Sequence, residues 1–148
     1  MKHLVVLAVC SGLFAAPTIA MAQDTSGYPD MRGQWKGPTD AVVLGRDAFH
    51  HHDAKGNASE PRTSQTEFTF TIKGQDGRKF WGEVSSKETA EPVVGVFASD
   101  KQTVHWVDTD GYAVGKLLGL DKFEYCYLRP SKDFMAAGCS IWTKQGSP

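Results

Sequence analysis

The densest set of metal-ligating side chains in the sequence is Phe49-His50-His51-His52-Asp53. Imidazole and carboxylate groups suit zinc, copper or nickel. In an extended chain neighbouring side chains point to opposite sides, so His50 and His52 share a face, and Asp53 needs a turn to join them. One expectation is therefore a divalent ion, Zn or Cu, held by His50, His52 and Asp53 and completed by His105 or Asp108. The competing expectation is a solvated polar loop that takes up metal only weakly.

A second cluster is Thr103-Val104-His105-Trp106-Val107-Asp108-Thr109-Asp110-Gly111-Tyr112. On a strand, Val104, Trp106 and Asp108 share one face, and His105, Val107 and Thr109 share the other. Asp108 and Asp110 form a carboxylate pair suited to proton transfer or to calcium. Asp-x-Asp-Gly is equally an ordinary turn whose aspartates bond the backbone. No glutamate follows at the distance an EF-hand loop requires.

Trp35, Trp81, Trp106 and Tyr112, with His105, are candidate contacts for a small apolar or aromatic ligand, Trp142 could line the same cavity and stack on a sugar or aromatic ring, and each also fits plain packing. Trp81 follows Phe80, so one of the two must face away from the core, where an exposed aromatic suits partner contact. There is no Gly-x-Ser-x-Gly, no His-Glu-x-x-His and no phosphate loop. Whether the chain is an enzyme stays open. Proton-transfer chemistry of the lyase or isomerase type, using His105 with Asp108 or Asp110, is one alternative to ligand binding. Metal binding through the histidine loop and a structural role in the cell envelope are others.

Strands must position these groups. Phe68, Phe70 and Ile72 alternate with polar residues across 66–73, and Asp76-Gly77 follows as a tight-turn dipeptide before the return over 79–84. Further strands are predicted over 33–44, 92–98, 103–107, 112–118, 123–129 and 135–143. Sequential hairpins with short turns favour an all-β, antiparallel up-and-down barrel of about eight strands over a sandwich, because closure removes exposed edges. At this strand number the interior is filled by side chains or holds one small ligand. The connection from 46 to 64 exceeds an ordinary turn and would lie over the mouth as a lid.

If the turn after 129 centres on Lys132 and Asp133, Cys126 faces Cys139 on the neighbouring strand, within disulfide reach. A bridge there staples the closing hairpin. A redox role would want the two cysteines close together in sequence.

Gly33-Gln34-Trp35 at the start of the first strand resembles the Gly-x-Trp signature of the calycin barrels, the lipocalins and avidins. Gly77-x-x-Phe80-x-Gly82 and Pro92-Val93-Val94-Gly95 resemble the early hairpins of avidin-type barrels. The resemblance implies a barrel over most of the mature chain, with Trp35 plugging its closed end. It does not carry over the ligand: Lys36-Gly37-Pro38-Thr39-Asp40 stands where an avidin places its biotin-holding Asn and Ser. The overall pattern also resembles small secreted proteobacterial proteins with no assigned activity.

The N-terminus has the three parts of a secretory signal: Met1-Lys2-His3, an apolar run too short to span a bilayer, and small residues at Ala20-Met21-Ala22. The expected division is a signal peptide over 1–22 and a single barrel domain over 23–148, placed in the periplasm or outside the cell. Leu7-Ala8-Val9-Cys10 resembles a lipoprotein box, but Val9 is bulky and Cys10 lies early in the apolar run. Cleavage after Ala22 removes one base and no acid, so 16 basic residues become 15 against 17 acidic. That balance offers no field for nucleic acid, and no later segment is apolar enough for a membrane span. Composition leaves homo-oligomerisation open.

Overall fold

The computed structural model describes residues 27–46, 50–51, 54–87 and 89–146. The N-terminal segment with Cys10 lies outside the described residues, as do His52 and Asp53. The strands are β1 (Gly33–Gly45), β2 (Arg62–Asp76), β3 (Lys79–Ser85), β4 (Ala90–Phe97), β5 (Thr103–Val107), β6 (Tyr112–Leu117), β7 (Lys122–Pro130) and β8 (Phe134–Lys144). Each pairs antiparallel with the next, and β8 returns to β1, so the sheet closes into a barrel. No helix among the described residues is long and apolar enough to cross a membrane.

The alternation that predicts the strands also decides what each side chain faces. In β2, Phe68, Phe70 and Ile72 are buried inside while Gln65, Glu67 and Lys73 face out. A bilayer-spanning barrel has the opposite polarity. β2 starts at Arg62, ahead of its visible alternation, because β1 continues to Gly45 and its backbone needs a partner. Val43 faces Arg62 and Ala41 faces Ser64. Ser64 points inward but is polar, which hides this end of the strand from a hydrophobic pattern. The long connection therefore shortens to 46–61.

The β2–β3 hairpin closes through Gly77 and Arg78, with Asp76 facing Lys79. Gly77 sits at φ 58°, the positive angle that the first central position of a II′ loop places on glycine. On the last hairpin Cys126 faces Cys139 in register, and the two are joined by a disulfide on the outer surface, Cα to Cα 4.1 Å. Closing a loop of this size stabilises by about 3 kcal/mol in the chain-entropy account.

Inside, Trp35, Phe70, Phe80, Phe97, Phe123 and Trp142 are fully buried. Their rings meet edge-on or tilted, with Phe70 centred 5.3 Å from Trp142 and Trp35 5.1 Å from Phe123. The segment before β1 seals this end. Met31 is buried, its N–H donates to Gln75 Oε1 (2.8 Å), and its carbonyl accepts from the Trp35 indole (2.8 Å). Lys144 Nζ donates to the carbonyl of Asp30 (3.0 Å), tying the last strand to the same seal.

Candidate functional site

The opposite end is the mouth, where β1, β3, β5 and β7 finish and β2, β4, β6 and β8 begin. The inward alternation continues here, but its residues become polar. Glu91 stands in phase with Val93 and Phe97 in β4, and Tyr127 and Arg129 stand in phase with Phe123 and Tyr125 in β7. Asp108 follows Val104 and Trp106 on the inner face of β5, as the strand spacing predicts.

A cavity of about 40 Å³ lies beneath this rim, room for a few water molecules. Its aromatic wall includes Phe68, Trp106, Tyr125 and Trp142, and its polar lining includes Thr39, Asp108 and Asp110. The indole N–H of Trp142 is buried and has no hydrogen-bond partner among the described residues. Tyr125 and Thr39 share a hydrogen bond of 2.8 Å, and burial pushes the Tyr125 hydroxyl's pKa up.

Asp108 Oδ1 accepts from the backbone N–H groups of Asp110 (3.2 Å) and Gly111 (2.8 Å), the turn geometry its spacing allows. The Tyr127 hydroxyl reaches both Asp108 Oδ1 (3.0 Å) and Asp110 Oδ1 (2.8 Å). One hydroxyl carries one proton, so the two carboxylates compete for it. Arg129 Nη2 pairs with Asp110 Oδ2 at 2.9 Å, and its guanidinium lies over the Phe134 ring. A Cβ at Gly111 would run into the Tyr127 hydroxyl, so only glycine lets that hydroxyl reach under the turn.

Burial pushes the Asp108 carboxyl above its ordinary range, and the Glu91 charge adds to the effect against the two backbone N–H groups. Burial first, then the Asp108 charge, pushes Tyr127 upward, so its hydroxyl stays a neutral donor. Glu91, Asp108 and Asp110 each bring one oxygen to within 4.8 Å of the others. An all-oxygen set of this kind suits hard cations such as calcium or magnesium better than zinc or copper.

The 46–61 connection reaches into the mouth with two histidines. His50 Nδ1 lies 2.9 Å from Ser86 Oγ and its Nε2 3.0 Å from Glu91 Oε2. Glu91 Oε1 accepts from the Thr109 hydroxyl. His51 Nδ1 lies 2.9 Å from Ser64 Oγ, and its ring stacks on Phe134. Adjacent histidines can both enter because the chain bends at His50 instead of running extended. No protein-family model matches this sequence, and no curated protein matches it.

Of the residues singled out by sequence, the structure brings Trp106, Asp108, Asp110 and His50 together around the mouth. Trp35 lies fully buried near the sealed end. His105 is exposed on the outer face of β5, opposite in alternation to Trp106 and Asp108. Trp81 and Tyr112 also face outward, 46% and 44% exposed. They belong to a stripe of facing residues that runs Trp81, Val94, Val107, Tyr112, Leu128, Ala137 and Val42 across neighbouring strands. Sequence reading missed Glu91, Tyr127, Arg129, Ser86 and His51. For Glu91, Tyr127 and Arg129 the signal was present, since period two places them on the same face as buried neighbours. Nothing local marks Ser86, which gains its partners only from the fold.

Proposed function

We propose that this chain is an exported, small-ligand-binding barrel of the calycin kind, released into the periplasm or the extracellular space by cleavage near Ala22. The N-terminal sequence and the outer disulfide support export, and the mature protein is expected to begin at Gln23 by N-terminal sequencing. The single observation that carries the binding reading is the cavity at the mouth, walled by Trp106, Tyr125 and Trp142 and capped by His50 and His51. The space has room for only a few waters, so a larger ligand enters as His50 and His51 exchange their contacts with Glu91, Ser86 and Ser64 for contacts with the ligand.

The ligand this lining favours is small and flat. An aromatic ring would lie against Trp106 and Tyr125, while polar groups would meet Asp108 and the unpartnered Trp142 N–H. Thermal-shift screening of the mature protein against lipids, sugars and aromatic metabolites tests this. A ligand at a hundredfold excess over its Kd stabilises by about 2.7 kcal/mol, which raises the melting temperature by several degrees. Trp106→Ala should remove that rise. A screen in which no compound stabilises the fold would end the reading.

A further inference from the structure

We propose that Ser86, His50 and Glu91 act as nucleophile, general base and positioning carboxylate, and that the barrel rim hydrolyses small carboxylic esters through Ser86. The proposal goes beyond ligand binding and does not depend on it: His50 is shared with the cavity lining, while the nucleophile Ser86 and the carboxylate Glu91 lie outside that lining.

Three separate parts of the fold meet here. Ser86 sits in the turn after β3, its N–H bonded to the carbonyl of Thr89 (2.9 Å), and it keeps part of its surface in solvent. His50 comes from the long connection and Glu91 from the start of β4. The side chains of His50 and Glu91 are each only 9% exposed. A partly exposed serine backed by a buried base and a buried carboxylate is the arrangement that activates a weak nucleophile.

The hydrogen bonds set the direction of proton flow. Glu91 accepts from Thr109 at one oxygen and faces His50 Nε2 with the other. An ionised carboxylate can only accept, so Nε2 carries the imidazole proton, and the Nδ1 lone pair is left facing Ser86 Oγ. A Ser86 hydroxyl donating to that lone pair is poised to lose its proton as it attacks.

In the first half-reaction Ser86 Oγ bonds to the ester carbonyl carbon while its proton passes to His50 Nδ1. The protonated imidazole, stabilised by Glu91, gives that proton to the departing alkoxide as the ester C–O bond breaks. In the second half, water transfers a proton to His50 Nδ1 and its oxygen to the acyl carbon. Ser86 leaves with the proton returned by His50, and one carboxylic acid is released.

The test uses the mature protein with a fluorophosphonate probe and with p-nitrophenyl acetate. One adduct is expected, formed as fluoride leaves and located on Ser86 by peptide mass spectrometry, together with release of nitrophenolate. Ser86→Ala should abolish both, His50→Ala should slow labelling by about a hundredfold or more, and Ser85→Ala on the neighbouring strand end should change neither. Glu91→Gln should lower kcat for the ester while leaving KM unchanged, a split that general loosening of the rim would not give. Absence of an adduct on the folded wild-type protein overturns the proposal, as does an adduct mapped to any other residue. Should Ser86→Ala fail to fold, the mapped position of the wild-type adduct decides alone.

Discussion

The sealed end and the mouth of this barrel are made by the same eight strands in the same alternation, yet they use the inward positions for different ends. Around Trp35, Phe70 and Phe123 the inward positions carry large apolar side chains packed ring against ring, and the polar Gln75 and Lys144 only tie down the segment that seals this end. Around Glu91, Asp108 and Tyr127 the inward positions carry hydroxyls and carboxylates, and a cavity remains. Apolar burial stabilises without needing partners. Polar burial requires a partner for each group, so the mouth trades stability for groups that can change partners. The comparison teaches that one end of a small barrel can supply most of the stability while the other stays chemically adjustable.

The largest effect should come from the sealed end. Phe70→Ala removes a ring packed against Trp106, Phe80, Phe123 and Trp142, and chemical denaturation should show a loss of about 3–5 kcal/mol. Ligand stabilisation measured while the variant is still folded should persist. A loss below about 1 kcal/mol would break the contrast. Gly111→Ala strikes the mouth and should cost about 1–3 kcal/mol by forcing the Tyr127 hydroxyl aside. Unlike Phe70→Ala, it should also abolish ligand stabilisation in the thermal-shift assay.

The smallest effect concerns pH. Asp108 has its carboxyl raised above the ordinary value of 3.8 by burial, so folding takes up a proton there. That contribution is complete below the unfolded value and is lost as pH rises through the higher folded value. Asp108→Asn keeps an oxygen for the two backbone N–H groups and removes the buried charge. Melting temperatures should therefore match the wild type in acid and exceed it by a few degrees at neutral pH. A variant less stable than the wild type at neutral pH would show that the ionised carboxylate is well solvated.

The fold was legible in the sequence wherever alternation was backed by large apolar residues. The hairpin through Phe68, Phe70 and Gly77 and the facing pair Cys126 and Cys139 are such places. The start of β2 was hidden, because Ser64 and Thr66 point inward without being apolar. The mouth was half legible. Strand phase placed Asp108 beside Trp106, and the same rule applied to β4 and β7 would have found Glu91, Tyr127 and Arg129. The contact between His50, Ser86 and Glu91 could not be read, since it joins residues 36 and 41 positions apart through a connection with no regular period.

The closing pair of strands has one more consequence. Trp35 faces Lys144 across β1 and β8, and Gln145 donates its N–H to the carbonyl of Gln34. The described chain therefore enters and leaves side by side at the sealed base. A tag, a tether or a fused domain joined directly before Gly27 or after Gly146 would start at the base, and a short linker between these two positions would make a circular permutant whose new ends could be opened in the turn after Pro130, which carries no mouth residue.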